Sequence, residues 1–209
     1  WDITHILNTH HHGDHTGGNL EIKQATGCTI VGPRADAARI PGIDVEVGDG
    51  DSYTLGNAKA VVYDVPGHTR GHIAFWFEGS DALFCGDTLF AMGCGRLFEG
   101  TPAQMVNSLD KFKSLPPETR VFCAHEYTQA NGRFALSVEP DNADLVQRVQ
   151  DVDAARAKNI PTVPSTIGIE LATNPFLRAD SADLQKTIGM MGKDYVTVFA
   201  ETRQLKDNF

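Results

Sequence analysis

In the first 125 residues, apolar positions come in short blocks that either alternate with polar ones or run unbroken, the patterns of half-buried and fully buried strands. Residues 5–10 read as a buried strand, followed by a short helix from Thr16 to Gln24 that Gly27 stops. Cys28–Val31 is a second apolar run, closed by Gly32 and Pro33. From 53 to 85 the signals are those of consecutive strands: SYTL, a turn at Gly56-Asn57, AKAVVYDV, HIAFWF, a turn over Glu78–Asp81, and ALFC. A helix is expected over about 102–115. Thr101 is its N-cap, Pro102 its first helical residue and Gln104 the partner that completes a capping box, while Met105, Leu109 and Phe112 share one face. Arg120–Ala124 is the last strand expected.

After His125 the pattern changes. Leu145, Val146, Val149 and Val152 recur at helical spacing, Pro161 and Pro164 mark a loop, and two more helices are expected near 181–190 and 194–206. The chain therefore divides into a mixed part and a helical part. Its 209 residues fit a core domain with a smaller appendage.

Charge and cysteine usage narrow the classes. A net charge of −9 argues against nucleic acid, which wants a basic face. No apolar run reaches the ~18 residues of a membrane span, so no membrane association is expected. Cys28, Cys85, Cys94 and Cys123 are widely spaced, with no CxxC pair; this fits the reduced thiols of a cytoplasmic protein. The chain opens on Trp1, and no signal peptide is visible.

The stretch THHHGDHTGGN, from Thr9 to Asn19, holds four of the eight histidines. A tag remnant would not be interrupted by Gly13-Asp14 nor be preceded by a buried strand, which leaves a histidine-rich surface loop and a metal site as the readings. If the strand runs on, His10 and His12 face one spot while His11 points away, and Asp14 and His15 are free to reach a second. Imidazole and carboxylate together suit zinc, manganese or iron. One segment cannot complete such a site. His68 in PGHTRGH, Asp87 in CGDTLF and His125 in VFCAHEYT each follow a predicted strand, and strand ends at one sheet edge can gather distant residues.

HxHxDH, a histidine after a PGHT turn, Gly-Asp, and a histidine after a strand together resemble the metallo-β-lactamase superfamily. Within it the chain is similar to glyoxalase II, the hydroxyacylglutathione hydrolases, over nearly all its length. The stretches that carry this are THHHGDHTGGN, PGHTRGH, FCGDTLF, GCGRLFEGT, AHEYTQAN, NPFLR and RQLKD. The resemblance implies an α/β fold, the metallo-β-lactamase αββα sandwich, with residues 1–125 as the metal-binding catalytic domain and 126–209 as a helical glutathione-binding domain. The family also has roughly two strands ahead of the position of Trp1. A sheet without them exposes an edge and an apolar face, which invites association.

The same resemblance implies two divalent metal ions per chain, zinc first and iron or manganese as alternatives. His10, His12 and His68 would hold one ion and Asp14, His15 and His125 the other, with Asp87 bridging. His5, His11 and His72 fall outside this set. Two ions sharing a water lower its pKa from ~15.7 towards ~7, so that hydroxide can attack the thioester carbonyl and the thiolate can leave. Asp14 and Asp87 are the implied catalytic carboxylates. The implied reaction converts S-D-lactoylglutathione to D-lactate and glutathione, the last step of methylglyoxal detoxification. Arg96, Tyr127, Asn131, Arg203 and Lys206 would bind the glutathione part, in a monomeric chain. Arg96 stands where the family commonly has Lys, and Phe98 where Tyr is common. No GxSxG nucleophile is present, and the ligand set lacks the thiolate of many zinc β-lactamases. Two other readings remain: a persulfide dioxygenase with one iron, which needs no basic C-terminal helix, and a non-catalytic metal-binding fragment.

Overall fold

The computed structural model describes residues 2–209. Strands β1 (His5–Leu7), β2 (Thr29–Pro33) and β3 (Val45–Val47) form a small parallel sheet in that order. Helices α1 (Gly13–Thr16) and α2 (Asn19–Thr26) lie between β1 and β2. A larger sheet is laid down by β4 (Ser52–Leu55), β5 (Ala58–Asp64), β6 (Ile73–Phe77) and β7 (Ala82–Gly86), an antiparallel meander. The short hairpin of β8 (Leu89–Phe90) and β9 (Gly93–Cys94) follows, then α3 (Pro102–Lys113) and β10 (Arg120–Cys123), which adds parallel to β7. The tail holds α4 (Thr128–Val138), α5 (Ala143–Arg156), β11 (Ser165–Thr166), α6 (Ile167–Thr173), α7 (Ala182–Thr187) and α8 (Tyr195–Asp207).

The period-two alternation of β5 to β7 sorts side chains into two cores. Ala60, Val62, Ile73, Phe75, Phe77 and Ala82 face Val31 and Val47 of the small sheet. Ala74, Leu83 and Cys85 face the other way, onto Met105, Leu109 and Phe112 of α3 and onto Phe134, Phe176 and Phe199 of the tail. Helices cover one face of the central strands, and the small sheet covers the other only in part. Phe84 of β7 stays 42% exposed beside an apolar groove lined by Leu7, Phe75, Phe77 and Phe122, the exposed apolar face expected from the sequence. The capping box predicted for α3 is present: Thr101 Oγ1 accepts from the Gln104 amide and Gln104 Oε1 from the Thr101 amide.

Several expectations shift in detail. The strand expected over 5–10 stops at Leu7, because Asn8 turns inward. Its side chain accepts from Asn19 Nδ2 at 2.7 Å and donates to the His15 carbonyl at 3.2 Å. The helix expected from Thr16 is two helices parted at Gly17-Gly18; a Cβ on Gly17 would stand 2.6 Å from the Gly13 carbonyl oxygen. Beyond His125 the tail is not purely helical, since β11 pairs antiparallel with β10 at the sheet edge. Strands β3, β8, β9 and β11 are two or three residues long, too short to show a period.

Candidate active site

Three of the predicted ligands follow strands that run in one direction. β5 is antiparallel to β6, β6 to β7, and β7 parallel to β10, so β5, β7 and β10 point the same way. Their C-terminal ends lead to His68, Asp87 and His125. The loop after β1 supplies His10 and His12, and α1 supplies Asp14 and His15. Gly86, at φ 51°, makes the turn that aims Asp87; a Cβ there would meet Thr9 Oγ1 at 2.4 Å.

The seven side chains converge. His12 Nδ1 lies 3.1 Å from both His10 Nε2 and His68 Nε2. Ligand nitrogens about 2.0–2.1 Å from a tetrahedral ion are separated by about 3.3 Å, so this spacing is that of a metal-site edge. On the other side Asp14 Oδ2 is 3.5 Å from His15 Nε2 and 3.3 Å from His125 Nε2. Asp87 lies between the groups, with Oδ1 3.2 Å from His15 Nε2 and Oδ2 3.5 Å from the Nε2 of both His68 and His125. His15 Nε2 and Asp87 Oδ1 are buried and make no hydrogen bond. Buried, unsatisfied ligand atoms aimed at one point cost free energy unless something occupies that point, so the donor set fits a pair of divalent ions.

Protonation favours the same reading at His10, His12 and His68, whereas at His15 burial is outweighed by the Asp87 and Asp14 carboxylates, which raise its pKa. Burial, reinforced by the neighbouring imidazoles, holds His10 well below the usual histidine range. Burial also lowers His12 and His68, although Asp87 opposes the effect at both. These imidazoles are therefore neutral and offer lone pairs. Burial acts to raise Asp87, yet His15 and the other imidazoles outweigh it and keep the carboxyl low. His68 Nδ1 bonds the Arg96 carbonyl at 2.9 Å, which leaves Nε2 for the centre. His72 is fully buried and faces away. Its ring stacks on His10 at 4.6 Å, and its Nε2 accepts the Asp87 amide at 3.1 Å, fixing that carboxylate from behind. His11 turns away as expected, but not by strand alternation, since residues 8–12 are in neither helix nor strand.

A cavity of about 570 Å³ joins this cluster to the tail. All five residues assigned to glutathione binding line it, together with Phe90, Phe98, Asp207 and Phe209. Tyr127 stacks on His125 at 4.9 Å, and Phe98 sets its ring edge-on to His12 and His68. Arg96 is largely exposed, whereas Arg203 is 5% exposed and already engaged. Arg203 Nη1 donates to the Cys94 carbonyl at 2.9 Å, Nη2 pairs with Asp207 at 2.9 Å, and the guanidinium lies 5.0 Å above Phe176. Lys206 lies over Phe134 and Phe209, and burial and then Arg203 lower its pKa. Asn131 donates to the Ala91 carbonyl. Sequence reading passed over Asp207, although it ends the RQLKD stretch; it joins Arg203 to Arg96, which is 3.6 Å away.

The β8–β9 hairpin beneath the cavity is pinned from the tail. Asn174 Nδ2 donates to the carbonyls of Phe90 and Gly93, and Glu170 Oε2 accepts the amide of Met92, which sits at φ 55°. No local sequence signal marks these long-range contacts.

Residues 1–125 match the sequence profile of the metallo-β-lactamase superfamily, and residues 126–209 that of the hydroxyacylglutathione hydrolase C-terminus. The hydroxyacylglutathione hydrolase of Methylococcus capsulatus is 60% identical over all 209 residues, which cover 82% of its length. That of Rhodospirillum rubrum is 61% identical with the same coverage. Among solved structures, ETHE1 from Myxococcus xanthus superposes with a TM-score of 0.63 at 24% identity, over 95% of this chain and 74% of that one. A structure of TTHA1623 in a di-iron-bound form gives 0.55 at 27%, over 82% and 76%. With the whole chain matched at this identity, the protein belongs to the hydroxyacylglutathione hydrolases, the glyoxalase II family of the metallo-β-lactamase superfamily.

Proposed function

We propose that the protein hydrolyses S-(2-hydroxyacyl)glutathione thioesters, with S-D-lactoylglutathione as the substrate that yields D-lactate and glutathione. The observation that carries this is one cavity lined by five of the seven donors (His12, Asp14, His68, Asp87 and His125) at one end and by Arg96, Arg203 and Lys206 at the other. In a chain of net charge −9, a basic pocket end suits a peptide carrying carboxylates.

In this reading His10, His12 and His68 would hold one divalent ion and Asp14, His15 and His125 the second, with Asp87 as a further donor between them; zinc is preferred, with iron or manganese possible. When bound, the pair would supply Lewis acidity for the thioester carbonyl and make hydroxide available near neutral pH. The chain's own residues do the rest. Arg96 and Lys206 draw in the glutathione carboxylates, and Arg203 holds the hairpin that carries the Cys94–Arg96 segment. Phe98 and Tyr127 wall the reacting end. Asp14, about 60% exposed at its side chain, would take the proton of the attacking water. The leaving thiol has a pKa of ~8.5, so it departs as thiolate with little assistance. Residues 126–209 act as the glutathione-holding part, and α8 supplies two of its cations.

A one-iron dioxygenase is not favoured. It would leave Asp14, His15 and His125 gathered without a task, and the relatives quoted above are hydrolases. A non-catalytic fragment is likewise disfavoured by a donor set and pocket that are both in place. No helix among the described residues is long and apolar enough to cross a membrane. The deciding experiment measures metal equivalents per chain alongside loss of the thioester from S-D-lactoylglutathione. Two equivalents with turnover are expected; a fully active chain holding one equivalent, or no hydrolysis by the metal-loaded chain, overturns the reading.

A further inference from the structure

A second cluster of ionisable groups lies behind the ligand loop and has no part in the chemistry above. His11 sits between the ligands His10 and His12 but faces the opposite way, towards Asp36 and Glu99. Arg39 is the hub. Its guanidinium donates to Glu99 at 2.6 and 3.0 Å, to Asp36 at 2.5 and 3.1 Å, and to His11 Nε2 at 3.1 Å. An N–H aimed at Nε2 requires the lone pair there, so the His11 proton is on Nδ1. That atom lies 3.3 Å from Asp36 Oδ2, and both atoms are buried without a formed hydrogen bond.

The cluster joins three segments that carry the site. His11 belongs to the loop of His10, His12, Asp14 and His15. Glu99 accepts the Arg70 amide at 2.8 Å, two residues beyond the ligand His68, and Asp36 packs so closely on Gly71 that a Cβ there would stand 2.4 Å from its carboxyl carbon. Glu99 itself is in the segment bearing Arg96 and Phe98. Residues 8–12 have no ladder or helix of their own to hold them, whereas a metal site tolerates about ±0.2 Å in ligand placement. Two carboxylates and an imidazole within reach of one another could by themselves gather a cation. Here the Arg39 guanidinium takes that place, and its planar fork reaches both carboxylates at once.

We propose that Arg39, acting with Asp36 and Glu99 on His11, is a positioning residue for the metal centre: it fixes the ligand loop from behind and locks it to the His68 turn and the Arg96 segment. The inference rests on the ligand assignment made above. Arg39 is partly exposed, so solvent screening reduces what its ion pairs add to global stability, and ligand placement is the effect that sets this role apart.

The test loads the full chain with zinc and titrates it with a chelator, comparing Arg39→Ala and Arg39→Lys with Arg34→Ala, an exposed arginine of the same turn that pairs with Asp51. Melting of the metal-free chains is followed in parallel. The unsubstituted chain and Arg34→Ala are expected to hold two zinc ions equally well. Arg39→Ala should release zinc with an affinity lowered roughly 10–100-fold, as for other residues that orient metal ligands, and Arg39→Lys should fall between. Zinc held as tightly by Arg39→Ala as by Arg34→Ala overturns the proposal, even if Arg39→Ala melts lower, since that is a purely structural effect. A third equivalent of zinc that Asp36→Asn removes also overturns it. Should Arg39→Ala fail to fold, Glu99→Gln keeps the shape and removes one anchor, and unchanged zinc retention there is equally fatal. If the unsubstituted chain binds no zinc, the ligand assignment fails first, and this inference with it.

Discussion

Replacing Arg203 by alanine separates a residue that merely attracts substrate from one that also builds the pocket. In the structure its guanidinium is buried and serves the Cys94 carbonyl, Asp207 and the Phe176 ring. A buried charge-assisted hydrogen bond contributes about 1.5–3 kcal/mol, and a desolvated cation–ring contact about 1–2 kcal/mol. The Asp207 side chain is 40% exposed, so that pair adds only about 0–1 kcal/mol. The loss is then about 3 kcal/mol or more, and at about 2–4 °C per kcal/mol for a chain of this size Tm should fall by about 6–12 °C. Because Cys94 leads directly to Arg96, KM for S-D-lactoylglutathione should also rise roughly ten-fold, which is ~1.4 kcal/mol of binding. A kcat within a few-fold and unchanged zinc content are expected, the pattern of lost uniform binding. Arg203→Lys should recover little, since an ammonium cannot serve Cys94 and Asp207 in the same fork. The assays are thermal melting, zinc content, and kinetics on the glutathione thioester beside a simple thioester without its carboxylates. An unchanged Tm would refute the hairpin-holding role. Equal KM changes on both substrates, or none on either, would refute a role in glutathione binding.

His125→Ala should drop zinc from two equivalents towards one, because His125 is the distant histidine of the second set; elemental analysis of purified protein reads this directly. Gly95→Ala should cost both metal content and activity, since its Cβ would stand 2.0 Å from the Asp87 carbonyl oxygen and 3.0 Å from His68 Nδ1, and a normally loaded variant would contradict the packing. Arg39 is the main influence on Glu99 and holds its carboxyl at about 2, against an ordinary value of 4.5. A depressed carboxyl stabilises the fold fully above its unfolded value, and this contribution fades as pH falls from about 4.5 towards 2. The melting difference between the metal-free protein and its Glu99→Gln variant should therefore shrink over that window, and a pH-independent difference would count against the pair.

Local chemistry in the sequence was enough for much of the result. The alternation of β5 to β7 follows from which side chains leave water on each face, so those strands were legible within a residue or two. Thr101, Pro102 and Gln104 marked the start of α3 because capping satisfies amides within one turn. That His10, His12, Asp14, His15, His68, Asp87 and His125 would come together was legible too, since HHHGDH follows one predicted strand and a His or Asp follows three later ones. Only tertiary structure decided what depends on contacts distant in sequence. His10 and His12 face one centre because Asn8, Asn19 and the Arg39 cluster shape their loop, not because they alternate in a strand. Arg203, legible as a cation on a helix, becomes a buried support only through Cys94, 109 residues away. Glu99 and Arg39 meet across 60 residues, and β11 finds β10 from within a helical tail. Local propensity and spacing are fixed by neighbours in the chain, whereas burial, pairing and the aim of a side chain are set by whichever surfaces the fold brings together.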